Sequence, residues 1–268
     1  MGSGVSKSKP SRPSSAHPDG PNSVNGKRST ALGDVLRNAG VKKVVLIRHA
    51  NAKPRDPEAA AVEAGTVLKP ETPHANAWTV GDLTRGLTPK GEEQATAARA
   101  WFDNHAVRAV IASEATRATA TLEIMTAGKF PKGGAGYLTL HTLHPARSGT
   151  PDCEKMFDTL GYGTLNTYYA NTTVEGLEGK GKEVFRNYMN KVTGELYDLI
   201  LQGKANFPSG GDTIAVFGHA VFLNAVAVAV SEAMGIPQSE DLVAAIELGE
   251  AQGILCDATS QSVTLQLV

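Results

Sequence analysis

Short unbroken runs of β-branched and other apolar residues recur along the chain, each ending abruptly in polar side chains, with stretches of helical period between them. Lys42 to Ile47 (KKVVLI) is the first, and it ends in Arg48-His49. That is the pattern of a buried parallel strand delivering residues to its C-terminal edge. Val107 to Ala112 (VRAVIA) stops at Ser113, and Asp212 to Phe217 (DTIAVF) stops at Gly218-His219. Tyr137 to Leu143 predicts a further strand; Leu242 to Glu247 and Gln261 to Val268 read as two more β segments, with Gly249 and Gly253 as breaks between them. Thr88-Pro89 followed by Glu92 and Glu93 has the form of an N-cap, a proline at the first helical position and an acidic first turn, opening a helix to about Asn104. A second helix follows Ser113 through Glu123 and Met125. Val184, Tyr188, Val192, Leu196 and Leu199 repeat with a period near four and predict a long amphipathic helix over residues 181 to 203, and the apolar run after His219 predicts another to about Met234. Strands and helices alternating in this way predict an α/β fold, a three-layer α/β/α sandwich with a mostly parallel central sheet.

Residues 1 to about 31 break the pattern. Ser, Pro, Gly, Asn and Lys dominate there, with almost no large apolar side chain to offset the entropy of ordering, so this stretch is expected to be a disordered tail and residues 32–268 the folded domain. Met1-Gly2-Ser3-Gly4-Val5-Ser6 fits the N-myristoylation pattern, with Gly2 as the acceptor and Lys7 and Lys9 behind it. An unmodified flexible tail or an appended Met-Gly-Ser leader fits equally well. One acyl chain gives only marginal, reversible attachment, so any membrane association through this end would be weak.

The composition narrows the setting. With 26 basic and 27 acidic side chains, the chain has no overall attraction to nucleic acid. The two cysteines, Cys153 and Cys256, have no CxxC spacing, which argues against a disulfide framework and for a reducing, cytoplasmic location, peripheral to a membrane at most. No stretch has the roughly 20 apolar residues of a spanning helix. Oligomeric state has no signature in the sequence.

The chemistry gathers where the strands end. Arg48 and His49, Ser113 with Arg117 one helical turn later, and His219 would converge at one edge of a shared sheet, the edge where α/β proteins place ligands. Such a pocket suits a phosphoryl group: guanidinium forks bind its oxygens, and imidazole supplies a nitrogen nucleophile. Ser113 reads equally well as the N-cap of the helix that follows. The histidines of His141-Thr142-Leu143-His144 lack partners with zinc spacing, so no metal is expected.

Four segments, IRHA (47–50), LTRGLTPKGEEQA (83–95), SEATRATAT (113–121) and VFGHA (216–220), in this order and spacing, resemble the histidine phosphatase superfamily of phosphoglycerate mutase-like fold. The resemblance implies that His49 becomes transiently phosphorylated, that Arg48, Arg117 and His219 clamp the phosphoryl oxygens, and that Ser113 shapes the rim. It also implies metal-independent hydrolysis of a phosphorylated small molecule or phosphoprotein, without a cofactor. Ala50 stands where the family usually has Gly. Leu143-His144-Pro145 stands where many members carry a proton-donating Glu, which is closer to the phosphohistidine phosphatase branch than to mutases and leaves His144, Asp152 and Glu154 as candidate donors. Two rival readings are mutase-type transfer to a second hydroxyl and a catalytically idle phosphate-binding relative.

Overall fold

Among the described residues, six strands, β1 (Lys43–Arg48), β2 (Val107–Ala112), β3 (Tyr137–Thr139), β4 (Thr213–Gly218), β5 (Gln252–Asp257) and β6 (Ser262–Leu267), form one sheet in the order β3-β2-β4-β1-β5-β6. The computed structural model describes residues 23–54, 82–237 and 239–267. The pairs β3-β2, β2-β4 and β4-β1 are parallel, and β5 and β6 close the sheet as an antiparallel hairpin. Alternation along each strand divides the core in two. Val44, Leu46, Ile111, Ile214 and Val216 face a layer built by α1 (Val24–Asn38), α7 (Gly181–Gly203) and α8 (Phe222–Ala233). Val45, Ile47, Val110, Ala112, Ala215 and Phe217 face α2 (Pro89–Ala97), α3 (Arg99–Asn104) and α4 (Thr116–Met125). Both faces of the central strands are therefore covered, which is why those strands read as continuous apolar runs. Between β3 and α7 lie two shorter helices, α5 (Pro151–Leu160) and α6 (Leu165–Tyr169), and α9 (Ser239–Ala244) precedes the hairpin.

Several expectations need correction. Helix α1 starts at Val24, capped by Ser23, inside the stretch expected to be unstructured. Its sequence is polar, but Leu32, Val35 and Leu36 bury fully against α7 and α8, and a Cβ on Gly33 would fall 2.0 Å from the Ala233 carbonyl oxygen, so the two backbones meet there. Tertiary burial stabilises a helix that its propensity would not. The possible acyl site Gly2 lies with residues 1–22 outside the described residues, as does most of the excursion between β1 and α2.

Leu242 to Glu247 is not a strand. Its first part belongs to α9, which has Glu240 and Asp241 in its first turn, and the buried Asn224 amide donates to Val243 O (3.3 Å) and Ile246 O (2.9 Å) where that helix ends. Gly253 is not a break but an interior residue of β5, paired with Ile47. The strand from Tyr137 ends at Thr139, and His141–Leu143 forms a 3-10 turn. The helix expected to reach Asn104 is interrupted at the buried Ala98, which divides α2 from α3.

Candidate active site

Sheet register creates the site. Ala112 of β2 stands opposite Phe217, and Arg48 of β1 opposite Gly218, so the first residues beyond three adjacent strands are neighbours. The ladder continues one step past the strands: His49 N–H donates to Gly218 O at 3.1 Å and Ser113 N–H to Phe217 O at 2.9 Å. His49, Ser113, Arg117 and His219 are thereby brought together and buried. After His219 the chain turns into α8 through Val221, a β-branched residue held at φ 65°, a conformation that costs roughly 1–3 kcal/mol and is kept only where its surroundings fix it.

The second motif segment supports the chain just beyond His49. Thr88 caps α2 by accepting from Gly91 N–H (3.1 Å), and its own N–H donates to Asn51 O (3.0 Å). A Cβ on Gly91 would lie 2.1 Å from Asn51 O, so only glycine permits this approach. Gln94 Oε1 accepts from Asn51 N–H (2.8 Å), and Thr121, in the motif that carries Arg117, accepts from Ala50 N–H (3.0 Å).

Hydrogen bonds fix each imidazole. His49 Nδ1 lies 2.8 Å from Ala50 O; a carbonyl only accepts, so Nδ1 carries the proton and Nε2 the lone pair, toward which Arg117 Nε donates at 3.2 Å. Arg117 Nη2 donates to His219 Nδ1 at 3.1 Å, leaving Nε2–H of His219 to donate to Ser113 Oγ at 3.1 Å. Burial, followed by the Arg117 charge, pushes His49 down to about 3, and the same two causes hold His219 well below the ordinary imidazole value. Both rings are therefore neutral near pH 7.

Asp82, which the sequence reading assigned no role, organises the arginines. Its Oδ2 accepts from Arg117 Nη2 (2.7 Å) and from His144 Nε2 (2.8 Å), its Oδ1 pairs with Arg85 Nη2 (2.8 Å), and Arg117 Nη1 donates to its backbone oxygen. Burial works to raise the Asp82 pKa, but the His144 hydrogen bond and the two guanidinium charges outweigh it, so the group is held below the ordinary carboxylate range. The available signal was the charged pair Asp82 and Arg85, one helical turn apart, at the edge of the LTRG segment.

The remaining expected residues are placed differently. Arg48 donates from Nη1 to Leu248 O (2.8 Å) and lies over the Tyr162 ring at 5.3 Å. Among the described residues, its Nε and that of Arg85 are buried without a hydrogen-bond partner. Ser113 is not the helix cap; Ala115 holds that position. His144 is fully buried, its Nδ1 accepting from Ala146 N–H at 3.2 Å while Asp82 holds Nε2. Glu154 accepts from Ser148 Oγ (2.8 Å) and Gly149 N–H (3.0 Å), and Asp152 is exposed in the first turn of α5. His141 and His144 are divided between Glu114 and Asp82, and among the described residues no group of three or more His, Cys, Asp or Glu side chains is arranged to hold a metal ion. A cavity of about 300 Å³ opens beside Arg117 and is lined by Asp82, Arg85, Arg117, Pro145, Phe157, Asp158, Gly161 and Tyr162.

The structure is thus an α/β sandwich whose parallel strand ends gather two neutral imidazoles and a buried guanidinium, at the sheet edge where such folds place ligands, beside a cavity lined by two arginines and two aspartates. Residues 44–131 match the family model of the histidine phosphatase superfamily (branch 1). No curated protein matches the sequence. Solved structures similar to it include a phosphoserine phosphatase from Entamoeba histolytica in complex with 3-phosphoglyceric acid (14% identity, TM-score 0.46, 84% of this chain and 94% of that one). A mycobacterial glucosyl-3-phosphoglycerate phosphatase complexed with VO3 is similar at 13% identity and TM-score 0.43, over 80% of this chain and 92% of that one. The protein histidine phosphatase SixA complexed with tungstate is similar at 15% identity and TM-score 0.38, over 84% of this chain and 94% of that one.

Proposed function

We propose that the protein is a metal-independent phosphatase acting on a phosphomonoester or a phosphohistidine through a covalent phosphohistidine at His49. The observation that carries this reading is the His49 tautomer: Nδ1–H is tied to Ala50 O, so the nucleophilic lone pair sits on Nε2 beside Arg117. In the first step Nε2 bonds to phosphorus as the bond to the leaving group breaks. In the second, water attacks phosphorus, the P–N bond breaks, and inorganic phosphate departs with His49 restored. Negative charge on the equatorial oxygens would be met by Arg48, Arg117 and the neutral donors around them. Two features support this: the unpartnered Nε–H groups of Arg48 and Arg85 are donors that phosphoryl oxygens would satisfy, and Arg117 would exchange part of its hold on Asp82 for the substrate.

The hold of Asp82 on His144, the engagement of Glu154 by Ser148 and Gly149, and the ion-paired state of Asp82 favour a leaving group that departs with little protonation. Asp158 is the other carboxylate on the cavity wall.

The test is mass spectrometry after rapid mixing with an aryl phosphate in EDTA. Acid-labile phosphate should appear on His49 and decay to free phosphate, and His49→Ala should abolish both label and turnover while keeping the wild-type circular dichroism. Turnover that survives this substitution would refute the assignment.

A further inference from the structure

We propose that Tyr162, braced by Phe157, is a specificity-determining wall that selects substrates whose phosphoryl group is carried on an aryl ring over those carrying it on an alkyl group. The inference rests on the reading of the cavity as the phosphoryl site. The cavity lining combines two unlike sets of groups: the guanidinium groups of Arg85 and Arg117 with the carboxylates of Asp82 and Asp158, and the apolar Pro145, Phe157 and Tyr162. A phosphoryl group drawn to the arginines leaves its organic portion to the apolar set.

Tyr162 is unusual for its surroundings. It is 57% exposed, one of the few large apolar side chains among the described residues that remain so, yet it is not loose. Phe157 meets its ring edge-on, with centroids 5.5 Å apart and planes at 89°, and Phe157 is itself seated on the core residue Phe222 at 5.3 Å. Arg48 lies over the same ring at 5.3 Å. An exposed aromatic ring on the wall of a cavity that also carries two guanidinium groups leaves apolar area in water in the free protein, and that area is buried when a flat ring packs against it. An alkyl group offers neither the area nor the ring geometry.

The contact with Arg48 allows a second role, in which Tyr162 only positions that arginine. The two roles separate by ligand. A merely positioning Tyr162 would weaken every phosphoryl ligand alike, whereas a wall would weaken only those with a ring.

The experiment measures calorimetric affinities of phenylphosphonate and methylphosphonate for the wild type, Tyr162→Leu and Tyr162→Phe, with thermal midpoints to confirm folding. Phosphonates are bound without turnover, so the result is independent of whether His49 becomes phosphorylated. The wild type and Tyr162→Phe should prefer the phenyl ligand by roughly three- to tenfold, the range expected of an aromatic contact, and Tyr162→Leu should bring that ratio close to one. An unchanged preference in Tyr162→Leu, or equal weakening of both ligands, would overturn the proposal. A wild type that binds neither ligand would remove the anion site and the wall with it.

Discussion

Arg117 concentrates the electrostatics of the site. One guanidinium donates to His49, His219 and Asp82 while only 1% exposed, so its removal would strand a buried carboxylate with fewer partners and free two imidazoles at once. Arg117→Ala should lower unfolding stability by about 2 kcal/mol or more and abolish inhibition by vanadate, read by denaturant titration and by inhibition kinetics. Vanadate inhibition of wild-type strength in this variant would take the phosphoryl-binding role from Arg117. Protonation gives a second prediction. His49, His144 and His219 all have lowered folded-state pKa values, so in acid the unfolded chain binds protons before the folded one does, and stability falls as pH drops below about 6.5, continuing for His49 toward about 3. Asp82 acts at lower pH: the stability it adds above the ordinary carboxylate value of 3.8 is lost on acidification below it. The thermal midpoint should therefore decline steadily from pH 7 to 4, and a flat profile over that window would contradict the burial of neutral imidazoles.

Among the elements, the start of α2 carries the most consequence for the site, because its backbone rests on the segment that follows His49. Gly91→Ala would force a Cβ against Asn51 O, whereas the nearby Gly86 has nothing within 4 Å of its own Cβ position. Gly91→Ala should cut kcat/KM at least about tenfold, the order expected of a small misplacement of a reacting group, while Gly86→Ala leaves it unchanged. Equal rates for the two variants would show that α2 does not position the nucleophile. Thr88-Pro89-Lys90-Gly91 announces this helix start in the sequence, but nothing in its spelling says which carbonyl the glycine must clear. The same asymmetry holds at α9. Its β-like composition is overridden by Asn224, a residue from a different helix that takes the carbonyls at its end.

At the scale of the whole molecule, α1 completes the layer on one face of the sheet. A chain beginning at residue 39 would lose the buried Leu32, Val35 and Leu36. At roughly 2–5 kcal/mol for each large buried side chain, the loss is comparable with the whole stability of a typical domain, so this truncation should fail to unfold cooperatively. A sharp, near-wild-type melt would show that α1 is dispensable. The sequence by itself determined the strand ends: the apolar runs of β1, β2 and β4 and the residues that follow each were legible because a strand buried on both faces has to be apolar throughout and has to stop where polar chemistry begins. Local pattern also carried the length of α7, whose period is set by one buried face. Only the tertiary structure decided that Asp82 and Arg85 join the site, that Asp82 holds His144 while Glu154 is engaged by Ser148, and that a polar N-terminal segment folds as α1. The reason is physical. Each of those outcomes depends on a partner distant in sequence, through burial or charge pairing, and such a partner leaves no periodicity in the segment it captures.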